Sequence, residues 1–237
     1  MKKRVPETSI IIVTLNEEKN LPKLLSSIKH QKYKNYEIIV SDAGSKDKTV
    51  RIAKKFRCRI AKGGLPARGR NNGAKVAKGR YLIFFDSDIL IPTGFLENIL
   101  RQVKEENIDI ASVSQIPVTK NKTEVLFHKF YNFWQKAMER IDPYASGACI
   151  IIKKSIFRKV GGFDETIKLA EDHALARKAR KSGAKYRVLN EKIFISTRRM
   201  KKDGSAVIAV KFVLAAVHRM FLGEIRTDIF KYKFGHY

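Results

Sequence analysis

The amino-acid sequence predicts an α/β fold, with a mostly parallel central sheet flanked by helices and an apolar helical extension at the C-terminal end. Through the first half of the 237 residues, short segments rich in Ile and Val alternate with amphipathic stretches of ten or more residues. This alternation is typical of βαβ units, and continuously apolar segments are typical of strands buried on both faces. A composition of 44% hydrophobic and 30% charged residues indicates a folded chain.

The elements of the first half follow this alternation in order. The apolar segments predict strands over 8–15, 36–41, 58–61 and 81–85. The stretches between them predict helices over 17–29, 47–56 and 67–77. Because each helix connects two consecutive strands, these strands are expected to run parallel to one another.

The second half has a less regular pattern. It predicts strands over 108–118 and 147–153, and two further short strands over 186–190 and 192–197. Helices are predicted over 127–138, 171–184 and 205–222. The helix over 171–184 contains Gly183 at its end, which favours a C-terminal cap there.

The charge balance of the chain is strongly basic. Lys and Arg total 49 against 23 Asp and Glu, so the formal net charge is +26. Such a charge favours nucleic acid, an anionic membrane surface or phosphorylated substrates, although a Lys-rich solvated surface would give the same count. The two cysteines, Cys58 and Cys149, cannot form a disulfide framework, and the start of the sequence lacks the apolar stretch of a signal peptide. A cytoplasmic location is therefore expected.

Polar and acidic side chains follow several predicted strands at the point where each strand ends. Asn16 and Glu17 follow the first strand, Asp42 follows the second, and Asp86 and Asp88 follow the fourth. Because ligands of parallel sheets bind at the carboxyl ends of the strands, these residues predict a shared site. Taken singly, each is also explained as a turn residue or a helix cap.

Asp86 and Asp88, separated by one small residue, are best explained as a metal site. Carboxylate oxygens are the hard ligands that Mg²⁺ and Mn²⁺ prefer. A divalent ion bound there would bridge the diphosphate of a nucleotide and neutralise charge on a leaving phosphate as a Lewis acid. The alternative is that the pair caps the helix expected to begin near Pro92.

Five stretches of the chain together resemble the family 2 glycosyltransferases of the GT-A fold. They run in the family's order over roughly residues 8–200: SIIIVTLNEEKNLPKLLSSI, YEIIVSDAGSKDKT, ARGRNNGAKVAKGRYLIFFDSDILIP, SGACIIIKKSIFRKVGGFDE and EDHALARKARKSGAKY. The resemblance implies a Rossmann-like GT-A domain over 1–200, with a nucleotide-binding half over about 1–118 and an acceptor half over about 119–200. Residues 201–237 form the extension. The implied enzyme uses Mn²⁺ or Mg²⁺ and is similar to dolichyl- and polyprenyl-phosphate sugar transferases and lipid-linked glycan synthases.

The resemblance also implies which residues bind the donor, a UDP- or GDP-sugar. Thr14 and Glu17 correspond to the nucleoside loop after the first strand, and Asp42 corresponds to the acid that hydrogen-bonds the base. Arg68 and Asn72 correspond to a segment that lines the nucleotide pocket. The remaining donor-side residues are the DxD pair, with Asp88 the stronger metal ligand beside Asp86, and two arginines of a mobile loop over 196–204 that meets the diphosphate, Arg198 and Arg199.

On the acceptor side, the resemblance implies a base within an ED motif. The acceptor-side residues are Gly147, Gly162, Asp164 and Glu171. Asp172 corresponds to the usual catalytic base of an inverting transfer, and a carboxylate is suited to take the proton of an attacking hydroxyl. Near the start of a helix, Asp172 is expected to keep a low pKa. From the residues alone, a helix cap remains the alternative for Asp172, and a solvated basic loop remains the alternative for the two arginines.

Two positions depart from the family pattern on the nucleotide side. Leu15 stands where the family often has Tyr, so no aromatic ring is available there to pack on the base. Ser41 and Asp42 supply one carboxylate where the family commonly has two. The base, uracil or guanine, therefore stays open.

The predicted helix over 205–222 is almost wholly apolar, interrupted by Lys211, His218 and Arg219. About 18 residues reach about 27 Å, barely a bilayer core, so a helix in the membrane interface is favoured over a span. Flanking basic residues suit an anionic membrane surface: Arg198, Arg199, Lys201, Lys202, Arg226, Lys231 and Lys233. An aromatic set offers further interfacial anchoring: Phe127, Phe130, Tyr131 and Trp134. Packing in the protein core is the alternative for both.

These patterns together predict a peripheral enzyme at the inner face of the cell membrane, acting on a lipid-linked or glycan acceptor. A basic nucleic-acid-binding protein is one alternative. No zinc-finger or RNP-like spacing occurs and the basic residues are spread along the chain, so no specific nucleic acid is expected as partner. A non-catalytic sugar-nucleotide binder is the other alternative, disfavoured because the four acids of the implied site are all present: Asp42, Asp86, Asp88 and Asp172.

Overall fold

The computed structural model describes residues 5–230, in which a central sheet lies between two layers of helices. The strands are β1 (Thr8–Thr14), β2 (Tyr36–Asp42), β3 (Arg59–Lys62), β4 (Tyr81–Asp86), β5 (Ile89–Leu90), β6 (Ile110–Val118), β7 (Cys149–Lys153) and β8 (Tyr186–Ser196). The helices are α1 (Leu21–Lys29), α2 (Thr49–Lys55), α3 (Pro66–Val76), α4 (Phe95–Glu105), α5 (Lys122–Ala137), α6 (Lys154–Lys159), α7 (Glu171–Lys181), α8 (Arg198–Asp203) and α9 (Ser205–Phe221). A 3-10 turn, Met138–Arg140, follows α5.

Within the described residues the strands form one eight-stranded sheet in the order β3-β2-β1-β4-β7-β6-β8-β5. β1 pairs in parallel with both β2 and β4, β2 with β3, and β6 with β8. β7 runs antiparallel to its neighbours β4 and β6. The predicted α/β fold with a mostly parallel sheet is therefore confirmed.

The sheet is buried on both faces, as its continuously apolar strands predict. Successive side chains of a strand point to opposite faces, so Ile10 and Ile12 belong to one core cluster while Ile11 belongs to the other. The first cluster includes the buried faces of α1 and α4, and the second includes those of α3, α6 and α7.

Helix α3 packs unusually close to the sheet, because small residues face the strands. A Cβ at Gly73 would lie 2.4 Å from Cγ2 of Ile11, and one at Gly69 would lie 3.1 Å from Cγ1 of Val13. The helix therefore holds its buried face directly against β1, near the carboxyl ends of the strands.

Several element predictions need correction. The two short strands predicted over 186–190 and 192–197 are a single strand, β8, whose register against β6 shifts between Val113 and Ser114. A bulge of this kind interrupts the side-chain alternation, which is why one strand resembles two. The first predicted helix begins at Leu21 rather than at residue 17. The strand β5 is only two residues long and carries no sequence signal of its own.

Helix α9 confirms the predicted apolar C-terminal helix. Among residues 5–230, no helix combines the length and the apolar character needed to cross a bilayer. Lys231 and Lys233, which belong to the predicted basic flank, lie outside the described residues.

Candidate active site

The carboxyl ends of β1, β2 and β4 meet at one edge of the sheet, as the acids at the strand ends predict. In the parallel register Thr14 lies opposite Asp42, and Val13 lies opposite Asp86. The hydroxyl of Thr14 donates a hydrogen bond to Oδ1 of Asp42 over 3.0 Å. Residues that are 28 and 73 positions apart in sequence are thereby brought side by side.

Asp42 closes the turn after β2 and also borders a pocket. Its Oδ2 accepts the backbone N–H groups of Gly44 and Ser45 at 3.0 and 2.9 Å, so the turn alternative holds for this residue. The adjoining open pocket has a volume of about 400 Å³ and is lined by residues 42–44 and 60–63. Asn72 lies at the same place, since its amide donates to the carbonyl of Lys62 over 3.0 Å.

The centre of the site is Arg70, a residue of α3 that the sequence prediction missed. Its buried guanidinium donates through Nη2 to Oδ1 of Asp86 over 2.8 Å and through Nη1 to Oε1 of Glu171 over 2.6 Å. Burial alone would lower the pKa of Arg70, but the two carboxylates hold that pKa above its ordinary value. One fixed positive charge thus joins the DxD pair to the ED motif.

The sequence does contain a signal that Arg70 is buried, namely its spacing from the apolar residues of the same helix. Ala67, Arg70 and Ala74 are spaced by three and four residues and share the buried face of α3. An arginine on such a face needs buried acceptors, because buried charges are rarely tolerated without partners. Arg68, the arginine that was predicted instead, lies on a more exposed part of the helix, with Nε 4.0 Å from Oε2 of Glu165.

Asp88 lies in a second acidic group at the same edge. Pairing of Ile89 in β5 with Ile195 in β8 brings the segment after β8 beside the DxD pair. The prediction of a mobile loop over 196–204 is wrong, because most of that segment forms helix α8. Nη2 of Arg198 then lies 2.6 Å from Oε1 of Glu17 and 3.7 Å from Oδ2 of Asp88. Helix α4 begins at Phe95 with Gly94 at its cap, so the acid pair does not cap that helix.

The charge around Asp88 is incompletely balanced. Burial and the negative charges of Asp86 and Glu17 raise the pKa of Asp88 to about 6, although Arg198 and Arg199 act in the opposite direction. A carboxyl group in this state favours an additional cation. Its hard oxygen atoms, beside those of Asp86, fit Mg²⁺ or Mn²⁺. Residues 5–230 contain no preformed group of three or more His, Cys, Asp or Glu that could hold a metal ion.

Asp172 lies in the first turn of α7 and is fixed by two backbone groups. Its Oδ2 accepts the N–H of Gly147 over 2.6 Å, and its Oδ1 accepts the N–H of His173 over 2.8 Å. The helix begins at Glu171 and its cap residue is Ala170, so Asp172 is not the cap. The side chain is 18% exposed, which leaves the carboxylate accessible.

The expectation of a low pKa for Asp172 is wrong. Burial raises the pKa of this carboxyl group, and Arg70, the two backbone N–H groups and Arg219 offset only part of that effect. Burial likewise raises the pKa of the neighbouring Glu171 against the opposing charge of Arg70. At this position desolvation outweighs the favourable helix terminus, whose influence is typically modest.

Gly147 packs between Arg70 and Asp172. Its carbonyl accepts a hydrogen bond from Nη2 of Arg70 over 3.4 Å. A Cβ at this position would lie 2.6 Å from that nitrogen and 3.2 Å from Oδ2 of Asp172. A side chain there would displace both groups, so the site requires glycine.

Two predicted acceptor-side residues make their contacts outside this cluster. Gly162 has φ +72°, and a Cβ there would lie 2.7 Å from Oδ1 of Asn71. Asp164 accepts the N–H of Thr166 over 3.0 Å and pairs with Nη2 of Arg226 over 3.0 Å. Both residues shape the loop before α7, and neither contacts Asp172 through these bonds.

Known proteins resemble this chain in sequence. It is 32% identical over 111 residues to the GalNAc(5)-diNAcBac-PP-undecaprenol β-1,3-glucosyltransferase of Campylobacter jejuni, an alignment covering 43% of this chain and 36% of that relative. The chain spans less than two thirds of the length of this and several other curated glycosyltransferases that it matches.

Solved structures share its fold. A mannosyltransferase from Pyrobaculum calidifontis, in complex with GDP-Man and Mn²⁺, has a TM-score of 0.71 at 20% identity, covering 90% of this chain and 63% of that one. Staphylococcus aureus TarS in complex with UDP-GlcNAc has a TM-score of 0.67 at 21% identity, covering 90% of this chain and 66% of that one.

A family model supplies the assignment. The model for glycosyl transferase family 2 matches residues 9–161, which include the strand-end acids, Arg70 and the start of β7. The match covers more than half of the chain and agrees with the resemblance that the sequence motifs carry. The protein is a glycosyltransferase and belongs to glycosyl transferase family 2.

Proposed function

We propose that this protein moves a sugar from a nucleotide-sugar to an acceptor hydroxyl by an inverting displacement, with Asp172 as the general base. The observation that carries the proposal is a continuous series of contacts. Asp172 is held by Gly147, Gly147 contacts Arg70, and Arg70 bonds Asp86 of the DxD pair. The proton acceptor and the donor-binding acids thus belong to one rigid unit.

In this mechanism Asp172 takes the proton of the attacking hydroxyl. The hydroxyl oxygen bonds to the anomeric carbon while the bond from that carbon to the phosphate oxygen breaks, and inversion follows from this single displacement. Each carboxylate oxygen accepts one backbone N–H group, Oδ2 from Gly147 and Oδ1 from His173, and each keeps a further lone pair that can receive the proton. A base works best when its pKa lies near the working pH, and burial moves the pKa of Asp172 in that direction.

On the donor side, we propose that Asp88, with Asp86, binds a divalent ion, Mn²⁺ or Mg²⁺. Such an ion, when bound, supplies Lewis-acid stabilisation of the leaving diphosphate. The raised pKa of Asp88 supports this assignment, since added positive charge there would favour its ionised form. Arg198 is suited to meet the diphosphate with its forked donors. Thr14, Asp42 and Asn72 surround the expected nucleoside position.

The donor is a UDP- or GDP-sugar, the two classes that the structural neighbours carry. The test is a panel of UDP- and GDP-sugars added with Mn²⁺ or with a chelator, in which melting temperature and release of nucleotide are measured. We expect metal-dependent stabilisation by one nucleotide class, lost in Asp88→Asn. Stabilisation that is equal with metal and chelator, and equal in the variant, would contradict the metal assignment.

We propose further that the acceptor is lipid-linked and that the protein works at an anionic membrane surface. Helices α5 and α9 support this, because both expose large apolar side chains. In α5 the buried residues are polar, namely Glu124, His128 and Gln135, whereas Phe130 and Phe133 are 58% and 68% exposed. Such a patch of apolar residues marks an interaction surface rather than a core contact.

Helix α9 continues the same surface. The rings of Phe127 in α5 and Phe212 in α9 lie 6.0 Å apart. The exposed apolar residues of α9 are Val207, Val210, Phe212, Val213, Leu214, Val217, Met220 and Phe221. Lys201, Lys202 and Arg226 are exposed near its ends. We name the exposed apolar residues of α5 and α9 the apolar surface. Its combination with the neighbouring basic residues favours anionic lipid. The undecaprenol-linked acceptor in the name of the Campylobacter relative supports the same acceptor class.

A further inference from the structure

Helix α9 also reaches the candidate base from its inner side. Its buried residues, Ile208, Ala215 and Arg219, form one stripe that faces the domain. Arg219 is only 3% exposed and bonds to Nδ1 of His173 through Nη1 over 2.8 Å. His173 is the residue directly after Asp172. A long arginine side chain from the extension thus ends on the imidazole of the residue that follows the proposed catalytic carboxylate.

The bond between Arg219 and His173 determines the protonation of the imidazole. A guanidinium group has only donors, so Nδ1 of His173 must be the acceptor and the ring must be neutral. Burial and the charge of Arg219 lower the pKa of His173 well below its ordinary value, in agreement with a neutral ring. The ring proton is therefore on Nε2, which lies 3.9 Å from Oδ1 of Asp172.

Neighbouring side chains hold the ring of His173 and the Nε and Nη1 atoms of Arg219, whereas Nη2 of Arg219 is buried without a hydrogen-bond partner among the described residues. Tyr144 packs on the ring of His173 with centroids 4.4 Å apart, and the guanidinium of Arg219 lies over Tyr144 at 5.7 Å. Nε of Arg219 donates to Glu224 over 3.1 Å. Arg177 joins Glu224, at 3.4 Å, to Asp142. An arginine with so many fixed partners has little freedom to leave His173.

We propose that Arg219 is a positioning residue for sugar transfer: it fixes the Nε2–H tautomer and the ring orientation of His173, and so keeps an N–H group and a positive charge facing Oδ1 of Asp172. The inference rests on Asp172 being the base. Orienting partners of this kind govern the reactivity of the group they hold, as the outer shells of metal ligands do. The positive charge of Arg219 also favours the ionised form of Asp172, which is the form that accepts a proton.

The electrostatic environment of Asp172 sets the expected pH effect. The titratable and charged groups that face it are Arg70 from α3, Tyr131 from α5, Glu171 and His173 from α7, Tyr186 from β8 and Arg219 from α9. Removing the charge of Arg219 leaves burial less opposed, so the pKa of Asp172 rises further. The acidic limb of the pH profile for kcat is then expected to move to higher pH.

The test compares Arg219→Met and Arg219→Lys with Glu224→Gln, which removes a partner of Arg219 but leaves the bond to His173. The probe is whichever of UDP-GlcNAc, UDP-Glc and GDP-Man the wild-type protein consumes with Mn²⁺, with released nucleotide measured across pH. We expect Arg219→Met to lose about 10–100-fold in kcat, the typical cost of losing an orienting partner, at unchanged donor KM. Its acidic limb should move to higher pH, whereas Arg219→Lys and Glu224→Gln keep the wild-type profile.

A wild-type kcat and pH profile in folded Arg219→Met would overturn the inference. If that variant does not fold, His173→Gln and His173→Leu serve instead, since the glutamine amide retains an N–H donor. Equal activity of those two variants would also overturn the positioning role. Asp172→Asn separates the two proposals: full activity in Asp172→Asn refutes the base assignment, whereas loss in Asp172→Asn with full activity in Arg219→Met refutes only the role of Arg219.

Discussion

Arg70 carries a positive charge that is only 3% exposed and lies between Asp86 and Glu171. Removing one partner of a buried ion pair leaves the others uncompensated, which typically costs about 3–5 kcal/mol. We therefore expect Arg70→Met to lower the melting temperature by about 6–20 °C, taking about 2–4 °C per kcal/mol for a domain of this size.

Calorimetry measures this effect, and Arg51→Met, at an exposed position of α2, is the control with the same change of side chain. We expect that control to remain within about 0.5 kcal/mol of the wild type. Equal melting temperatures for the two variants would contradict the assignment of Arg70 as the buried link between the two acidic motifs.

Replacing Asp88 is expected to raise stability rather than lower it, because the pKa of Asp88 is raised to about 6 in the folded protein. The native state then binds a proton more readily than the unfolded state, so ionisation of Asp88 lowers stability as pH rises from about 4 to about 6. In chelator, Asp88→Asn should melt about 6–12 °C higher than the wild type at about pH 7.5.

The difference between Asp88→Asn and the wild type should shrink as pH falls towards about 5, where Asp88 is protonated. Mn²⁺ should stabilise the wild type and not the variant. A variant less stable than the wild type at neutral pH, with chelator present, would show that Asp88 is already well neutralised by Arg198.

Elements that the sequence predicts well are those whose residues carry a local pattern. β1 and β4 each contain a continuous run of apolar residues, and helices such as α7 have clear periodicity, so their positions follow from the chain alone. β5 has two residues and exists because it pairs with β8, a contact more than a hundred residues away. This contact places Arg198 beside Asp88, which no local pattern predicts.

The exposed apolar residues of α5 and α9 yield a prediction at the scale of the helix. Val213→Asp combined with Val217→Asp places two charges on the apolar surface at residues that are 57% and 47% exposed. We expect loss of binding to anionic liposomes with little change in melting temperature, because burying a charge in the membrane interface is unfavourable. Liposome co-sedimentation measures the binding.

The matched control for that pair is Lys54→Gln with Lys55→Gln. These residues are exposed on α2, and the double change lowers the net charge by the same two units. If both double variants lose equal binding, then net charge rather than the apolar surface of α9 carries the attraction.

At the scale of the whole molecule, the formal net charge of +26 predicts strong dependence on salt. Raising NaCl from about 0.05 M to about 0.5 M shortens the screening length from above 10 Å to below 5 Å. Binding to anionic vesicles should weaken at least severalfold yet persist in part, since apolar burial in the lipid interface does not depend on charge.

Vesicles of neutral lipid and a single-stranded RNA provide the comparison for the salt experiment. Weak binding to neutral vesicles and complete loss of RNA binding at high salt are the expected results. Tight RNA binding that exceeds binding to anionic vesicles would instead favour nucleic acid as the polyanionic partner.

The candidate site could be predicted from the sequence where a motif marks a strand end or a helix start. Asp42, Asp86 and Asp172 belong to that group. Arg70 and Arg68 differ by two residues in one stretch, and only the phase of α3 against β1 determines which of them is buried. Arg219 belongs to a helix whose apolar pattern predicts a surface role, and its contact with His173 depends on how the chain folds back.

The most direct test of the proposed mechanism is the turnover of Asp172→Asn, measured as nucleotide release from the donor that the wild type consumes. Asparagine keeps the size of the side chain but cannot accept the proton, so kcat should fall by about 10²–10⁴-fold while donor binding is retained. Asp109→Asn, which removes a carboxylate that pairs with Lys153 just before β6, is the control. Unchanged kcat in a folded Asp172→Asn would contradict the account and require the proton acceptor to lie elsewhere.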